Sequence, residues 1–148
     1  MLSGSCYCGQ VKYQIKSPID YIVHCHCRPC RKVAGAAFYS GGFIAQSDFE
    51  ITEGSDHIKI QNNIWNHQNP DVSRFYCGEC GGRLGVYIDK DTLMNVAINT
   101  LDDEPNEDSG VHINVESKAP WYSIPVGVEQ HAQFPPDMSE QIKKILHS

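Results

Sequence analysis

The sequence predicts a mostly β fold closed by one short C-terminal helix. Three observations point there. Apolar and polar residues alternate with the period of a strand through most of the chain, and the alternating segments recur roughly every ten residues, as in all-β architectures. Helical periodicity is concentrated at the end of the chain. The seven cysteines fall into three tight clusters, far apart in sequence, which a chain folding back on itself can bring together.

The elements follow in chain order. "GQVKYQI" sets Val11, Tyr13 and Ile15 on one face. "IDYIV" is a short apolar run. "AAFYSGGFI" reads as a strand with a bulge or bend at Gly41-Gly42. "DFEIT" and "HIKIQ" alternate on either side of a Gly54-Ser55-Asp56 turn. "RFYC", "RLGVYI", "LMNVAI" and "VHINV" continue the pattern. "RPCRKVAGAA" leaves room for one short helical turn. "NTLDDEPNEDSG", Asn99 to Gly110, is acidic and turn-rich, hence a solvated loop. "QFPPD" halts the chain before "DMSEQIKKIL", where Met138, Ile142, Ile145 and Leu146 recur at helical spacing with Ser139 as N-cap.

A chain of 148 residues is read as a single domain over 1–148, long enough to bury its own core. Its net charge of -6 and pI near 5.5 speak against nucleic acid as a partner, since phosphate binding needs a basic surface. No run approaches a membrane span. "MLSGSCYCGQ" has neither the basic nor the apolar region of a signal peptide. The expected compartment is the cytoplasm, where thiols stay reduced. An odd number of closely spaced cysteines in that setting points to metal before disulfides.

Cys6 and Cys8 lie in "SCYCG", Cys77 and Cys80 in "YCGECGG". Two sulfurs so close in sequence reach one ion only if the chain turns sharply. Gly9 and Gly81, each just past the second cysteine, permit that turn. Two such knuckles make one closed four-thiolate zinc site. It would tie the start of the chain to a segment some seventy residues later, coupling metal binding to folding. The plain alternative is four free core cysteines.

Cys25, Cys27 and Cys30 in "HCHCRPC" are then left over. Three protein ligands with an open fourth position mark catalytic zinc, whereas structural zinc is closed. Pro29 stiffens the Cys27–Cys30 turn. Several other readings stay open: His24 or His26 as a fourth ligand, the triplet borrowing a cysteine from "CGEC", an iron–sulfur cluster, or a redox dithiol in "CRPC".

These motifs resemble the glutathione-dependent formaldehyde-activating enzymes, also called the centromere-protein-V-like family. The likeness runs through "GSCYCGQVKY", "HCHCRPCRKVAGAAF", "RFYCGECGGRL" and "VHINVESKAPWY", residues 4–122, leaving 123–148 as a tail. The resemblance implies a small β-tent of twisted antiparallel sheets and two zinc ions. One would be structural, on Cys6, Cys8, Cys77 and Cys80. The other would be catalytic and labile, on Cys25, Cys27 and Cys30. It further implies a carbon–sulfur lyase run in reverse, joining a small thiol such as glutathione to an aldehyde, as in S-(hydroxymethyl)glutathione synthase.

Arg28, Arg31 and Lys32 can hold the carboxylates of a glutathione-like ligand, offset the thiolates, or simply be solvated. Strand alternation in "VHINVE" sets His112, Asn114 and Glu116 on a polar face opposite Val111, Ile113 and Val115. His112 is then either an acid or base near the site or a hydrogen-bonded strand histidine. Trp121 is expected to plug one end of the core, and Glu79 to be exposed. His57 and His67 sit in turn regions without an assigned role. A zinc enzyme and a non-catalytic zinc-binding module for protein interaction share the closed site and differ at the triplet, where only the enzyme needs an open position.

Overall fold

The structure is a computed structural model that describes residues 1–62, 72–89, 91–105 and 110–147. His67 lies outside the described residues. Strands β1 (Leu2–Ser5), β2 (Lys12–Ile15) and β5 (Phe49–Glu53) form a small sheet in the order β1-β2-β5. The larger sheet holds β3 (Ile22–Cys25), β4 (Tyr39–Ala45), β6 (Ile58–Asn62), β7 (Ser73–Cys77), β8 (Arg83–Asp89), β9 (Leu93–Ala97) and β10 (Val111–Ile113). Its order is β10-β3-β4-β9-β8-β7-β6. Among the described residues the α-helices are α1 (Arg28–Ala34) and α2 (Met138–Leu146).

The predicted β architecture with a C-terminal helix is present, and among the described residues its ladders are antiparallel with one exception: β10 lies parallel to β3. β1 carries no alternation and was not anticipated. Its Gly4 exists to admit a side chain: Tyr13 lies over it, so close that a Cβ there would sit 2.1 Å from the ring. The Gly54 turn, at φ 76, does not close a hairpin. It passes the chain from β5 in the small sheet to β6 at the edge of the large one.

Two cores result, one on each face of the large sheet. Between the sheets, Val11, Tyr13 and Ile15 meet Ile44, Phe75, Leu84, Met94 and Val96, all at most 1% exposed. Burying side chains of this size stabilises by about 1.5–3 kcal/mol each, which is why the β2 register is fixed: a one-residue slip would turn these three outward. The second core joins Tyr21, Val23, Cys25, Phe43, Leu93 and Ile113 to the apolar side of α2, contributed by Met138, Ile142, Ile145 and Leu146. The helical spacing read from the tail thus has its partner.

Several local expectations are corrected. Gly41 and Gly42 form no bulge; the β4 ladders run through them in register. They are small because neighbours occupy the space: a Cβ on Gly41 would fall 1.6 Å from Asn95 Oδ1, and one on Gly42 2.4 Å from Ile19. Ser139 does not cap α2; Asp137 holds the cap position and accepts a hydrogen bond from Gln141 Nε2 at 3.3 Å. Trp121 does not plug the core but is 72% exposed, since the turn at Pro120–Trp121 points it outward. In the acidic Asn99–Gly110 segment residues 106–109 lie outside the described residues; Asp102, Asp103 and Glu104 are exposed as expected, and the start of the segment is also anchored. Asp103 accepts from the Ser3 amide at 2.9 Å, Asp102 from Ser5 Oγ at 2.8 Å, and Leu101 bridges Gly4.

Candidate metal centres

Cys6, Cys8, Cys77 and Cys80 converge, their sulfurs all within 4.8 Å of one another. Each pair is folded by the same backbone device. Cys6 N donates to Val11 O and Cys77 N to Gly82 O, both at 3.0 Å and both five residues on. Gly9 N and Gly81 N donate back to the carbonyls of Cys6 and Cys77. The turns need φ of 80° at Gly9 and 75° at Gly81, with nothing near a Cβ at either, so conformation and not space demands glycine. A tetrahedral ion with metal–sulfur distances of about 2.3 Å holds its sulfurs roughly 3.8 Å apart. Here Cys6 and Cys8 are 3.5 Å apart and Cys8 and Cys77 3.8 Å. The donor set fits a closed ion. Val11 N already donates to Cys6 Sγ at 3.3 Å, as second-layer donors to thiolates do. Burial pushes Cys80 up, but amide donors from Cys8 and Gly82 and the neighbouring thiols outweigh it and bring it down to about 6.

The second cluster is built from the end of β3 and the start of α1. Cys25 ends the strand, Cys27 is the helix N-cap with extended φ -65 and ψ 155, and Cys30 sits one turn in. Pro29 falls in the first helical turn, where a missing N–H costs nothing. Arg31 N donates to Cys27 O at 3.0 Å, and the helix stops after one more turn at Gly35, φ 62. The expected short turn is therefore a seven-residue helix that carries Cys30. The three sulfurs lie within 4.8 Å of one another, as a three-thiolate ion requires. The Cys27 and Cys30 thiols, with the Asn114 amide, hold Cys25 down to about 3 against burial. That same Cys25 sulfur pushes Cys27 and Cys30 up.

Neither neighbouring histidine joins the triplet. His24 Nδ1 contacts Ser40 Oγ at 2.7 Å, and His26 Nε2 contacts His112 Nδ1 at 2.8 Å. These rings form an aromatic cluster with Phe38 and Tyr122. His112 is thus no residue of an exposed polar face. It is buried, and the alternation expected for "VHINVE" ends at Ile113, because Asn114 turns left-handed at φ 55 and Glu116 falls in a 3-10 turn. His26 points away from the triplet toward His112, and its ring is wholly buried. Arg28 and Lys32 are exposed and Arg31 half-buried. Arg31 Nε is buried without a partner among the described residues. Glu79 is exposed and pairs with His57 at 3.5 Å.

Comparison with known proteins decides the family. The family model for glutathione-dependent formaldehyde-activating enzyme matches residues 1–138. The chain belongs to this family. It is 29% identical over 127 residues to a Halomonas elongata protein named "Putative glutathione-dependent formaldehyde-activating enzyme", covering 84% of this chain and 81% of that one. A crystal structure of a Rhodobacter sphaeroides protein shares the fold, with TM-score 0.59 and 16% identity over 74% of this chain and 97% of that one.

For this member of the glutathione-dependent formaldehyde-activating enzyme family, the spacing-based partition of the seven cysteines into four and three is the grouping the fold assembles. The two groups close different cores: Cys6 and Cys77 border the inter-sheet core, Cys25 the core under α2. The sequence reading missed two neighbours of the triplet. Asn114 Nδ2 donates to Cys25 Sγ at 3.2 Å. Tyr39 stands directly across the ladder from Cys25 with its hydroxyl buried and unpartnered among the described residues. Both contacts depend on register, which alternation alone does not supply. No described helix is long and apolar enough to cross a membrane.

Proposed function

We propose that the chain is a zinc-dependent carbon–sulfur lyase-type enzyme that adds a small thiol, glutathione in the first instance, to formaldehyde and reverses the addition. The observation that carries this reading is the convergence of Cys25, Cys27 and Cys30, with no fourth protein ligand among the described residues. The family match supports it. Cys6, Cys8, Cys77 and Cys80 are assigned a structural zinc, and the triplet a catalytic zinc that is the more easily lost.

When bound at the triplet, zinc supplies a lowered pKa to an incoming thiol. Three thiolates leave such a site net negative, which suits a soft thiol ligand better than polarisation of a hard carbonyl oxygen. In the reaction the thiol sulfur forms a bond to the aldehyde carbon, and the carbonyl oxygen takes up the proton that the thiol gives up. The residues of this chain hold and orient. Cys25 is fixed by β3, while Cys27 and Cys30 are fixed by one helical turn. Arg31, on α1 with Cys30 and with its Nε lacking a partner among the described residues, is the candidate for a substrate carboxylate.

The test is turnover of formaldehyde with glutathione by the zinc-loaded protein, read as S-hydroxymethylglutathione by NMR. Wild type is expected to speed the reaction above the spontaneous rate. Cys27→Ser is expected to lose that acceleration with its fold kept. Equal rates in both would reject the site and leave the zinc-binding module. Arg31→Glu is expected to weaken thiol binding; unchanged affinity would remove Arg31 from the substrate contacts.

A further inference from the structure

We propose that Asn114 is a positioning residue of the three-cysteine centre, its side-chain amide drawing charge from the Cys25 sulfur and fixing that sulfur toward a bound metal. The inference rests on the metal reading of the triplet. Asn114 Nδ2 lies 3.2 Å from Cys25 Sγ. The preceding residue reaches the same place: Ile113 pairs with Cys25 in the β10–β3 ladder, and its carbonyl accepts from His26 N at 3.0 Å. The last residue of β10 and the one that follows it therefore brace the backbone after Cys25 and its sulfur.

The aim of the amide is set from outside. Asn114 holds φ 55 and ψ 37, a left-handed conformation that asparagine tolerates far better than most residues. Its own N–H donates to Gln133 O at 2.8 Å, Val115 N to His131 O at 3.1 Å, and Ser117 N to Asn114 O at 3.0 Å. The tail segment 129–133 thus clamps this turn, and the turn presents the amide to the ligand. Three thiolates on a divalent ion carry excess negative charge, and an N–H donor to one of them disperses it. Such outer partners commonly set metal affinity by about 10-fold to 100-fold.

Two variants test this in the full chain loaded with cobalt(II), whose thiolate charge-transfer band reports on each sulfur. Asn114→Gly removes the amide while glycine accepts the left-handed backbone without strain. Asn114→Asp keeps the shape but sets a carboxylate against the thiolate. By chelator competition, cobalt at the triplet is expected to bind about 10-fold to 100-fold more weakly in Asn114→Gly, and more weakly again in Asn114→Asp. The charge-transfer band should move to lower energy, and the four-cysteine site should keep its metal in both. Wild-type affinity with an unmoved band in Asn114→Gly overturns the proposal. So does loss of metal from both sites, which would make Asn114 a general structural residue. A wild type that binds one cobalt only removes the metal reading of the triplet itself, a different result from wild type and variants binding two alike.

Discussion

His26 Nε2 and His112 Nδ1 lie 2.8 Å apart, the residue just after β3 meeting the middle of β10 in a buried cluster of rings. One nitrogen donates and the other accepts, so the ring that accepts must be neutral, and the contact is lost when both rings are protonated. Burial, then the neighbouring His24 and His26, pushes His112 down to about 4 from an ordinary 6.5. The unfolded chain therefore takes up a proton that the folded chain refuses between these values. Stability contributed by the neutral ring is complete above about pH 6.5 and falls as pH drops toward 4. Urea melts at pH 7, 6 and 5 are expected to show wild type losing stability more steeply than His112→Asn. Parallel losses in the two proteins would show that this pair does not carry the acid sensitivity.

The two cysteine groups should fail differently. Structural zinc contributes about 10–16 kcal/mol in small domains, comparable with the whole stability of a domain. Cys77 is wholly buried in the inter-sheet core, so Cys77→Ser is expected to leave the chain unfolded at 25 °C by near-UV circular dichroism. Cys27, half-buried at the helix cap, should tolerate serine with native dichroism. A folded Cys77→Ser protein would remove the structural role of its site.

Gly41 is small because Asn95 lies on it. A methyl group there would fall 1.6 Å from Asn95 Oδ1, and overpacking of this kind costs about 1–3 kcal/mol or more. Gly41→Ala is expected to lower stability by at least that much. Gly41→Ala with Asn95→Ala should recover most of the difference beyond what Asn95→Ala alone costs. Additive losses in the double-mutant cycle would contradict this contact.

Tyr39 carries a buried hydroxyl without a partner among the described residues. Such a group costs its own desolvation, about 1–3 kcal/mol. Tyr39→Phe is accordingly expected to be neutral or stabilising in chemical denaturation. A clear loss of stability would mean that the hydroxyl is bonded in solution.

Alternation and spacing were legible because they report faces and turns. Val11, Tyr13 and Ile15 show their shared face in sequence, and the glycines after Cys8 and Cys80 show their knuckles. Pairing between strands distant in sequence is not written in either signal. The parallel approach of β10 to β3 made neighbours of His26 and His112 and of Cys25 and Asn114, although these pairs are 86 and 89 residues apart. A glycine pair reads alike whether it bends a strand or yields to a neighbour's side chain, so the role of Gly41-Gly42 was visible only with Asn95 and Ile19 in place. Trp121 follows from type alone as a core residue, and only the turn that carries it shows that it faces solvent.

The most direct measurement is zinc content by mass spectrometry, on wild type and on a Cys25/Cys27/Cys30 triple serine variant, both purified without chelator and reconstituted with zinc. Four sulfurs and three sulfurs in separate groups predict two zinc ions per chain in wild type and one in the variant, with the fold unchanged. One ion in both proteins after reconstitution would contradict the three-cysteine centre and, with it, the enzyme.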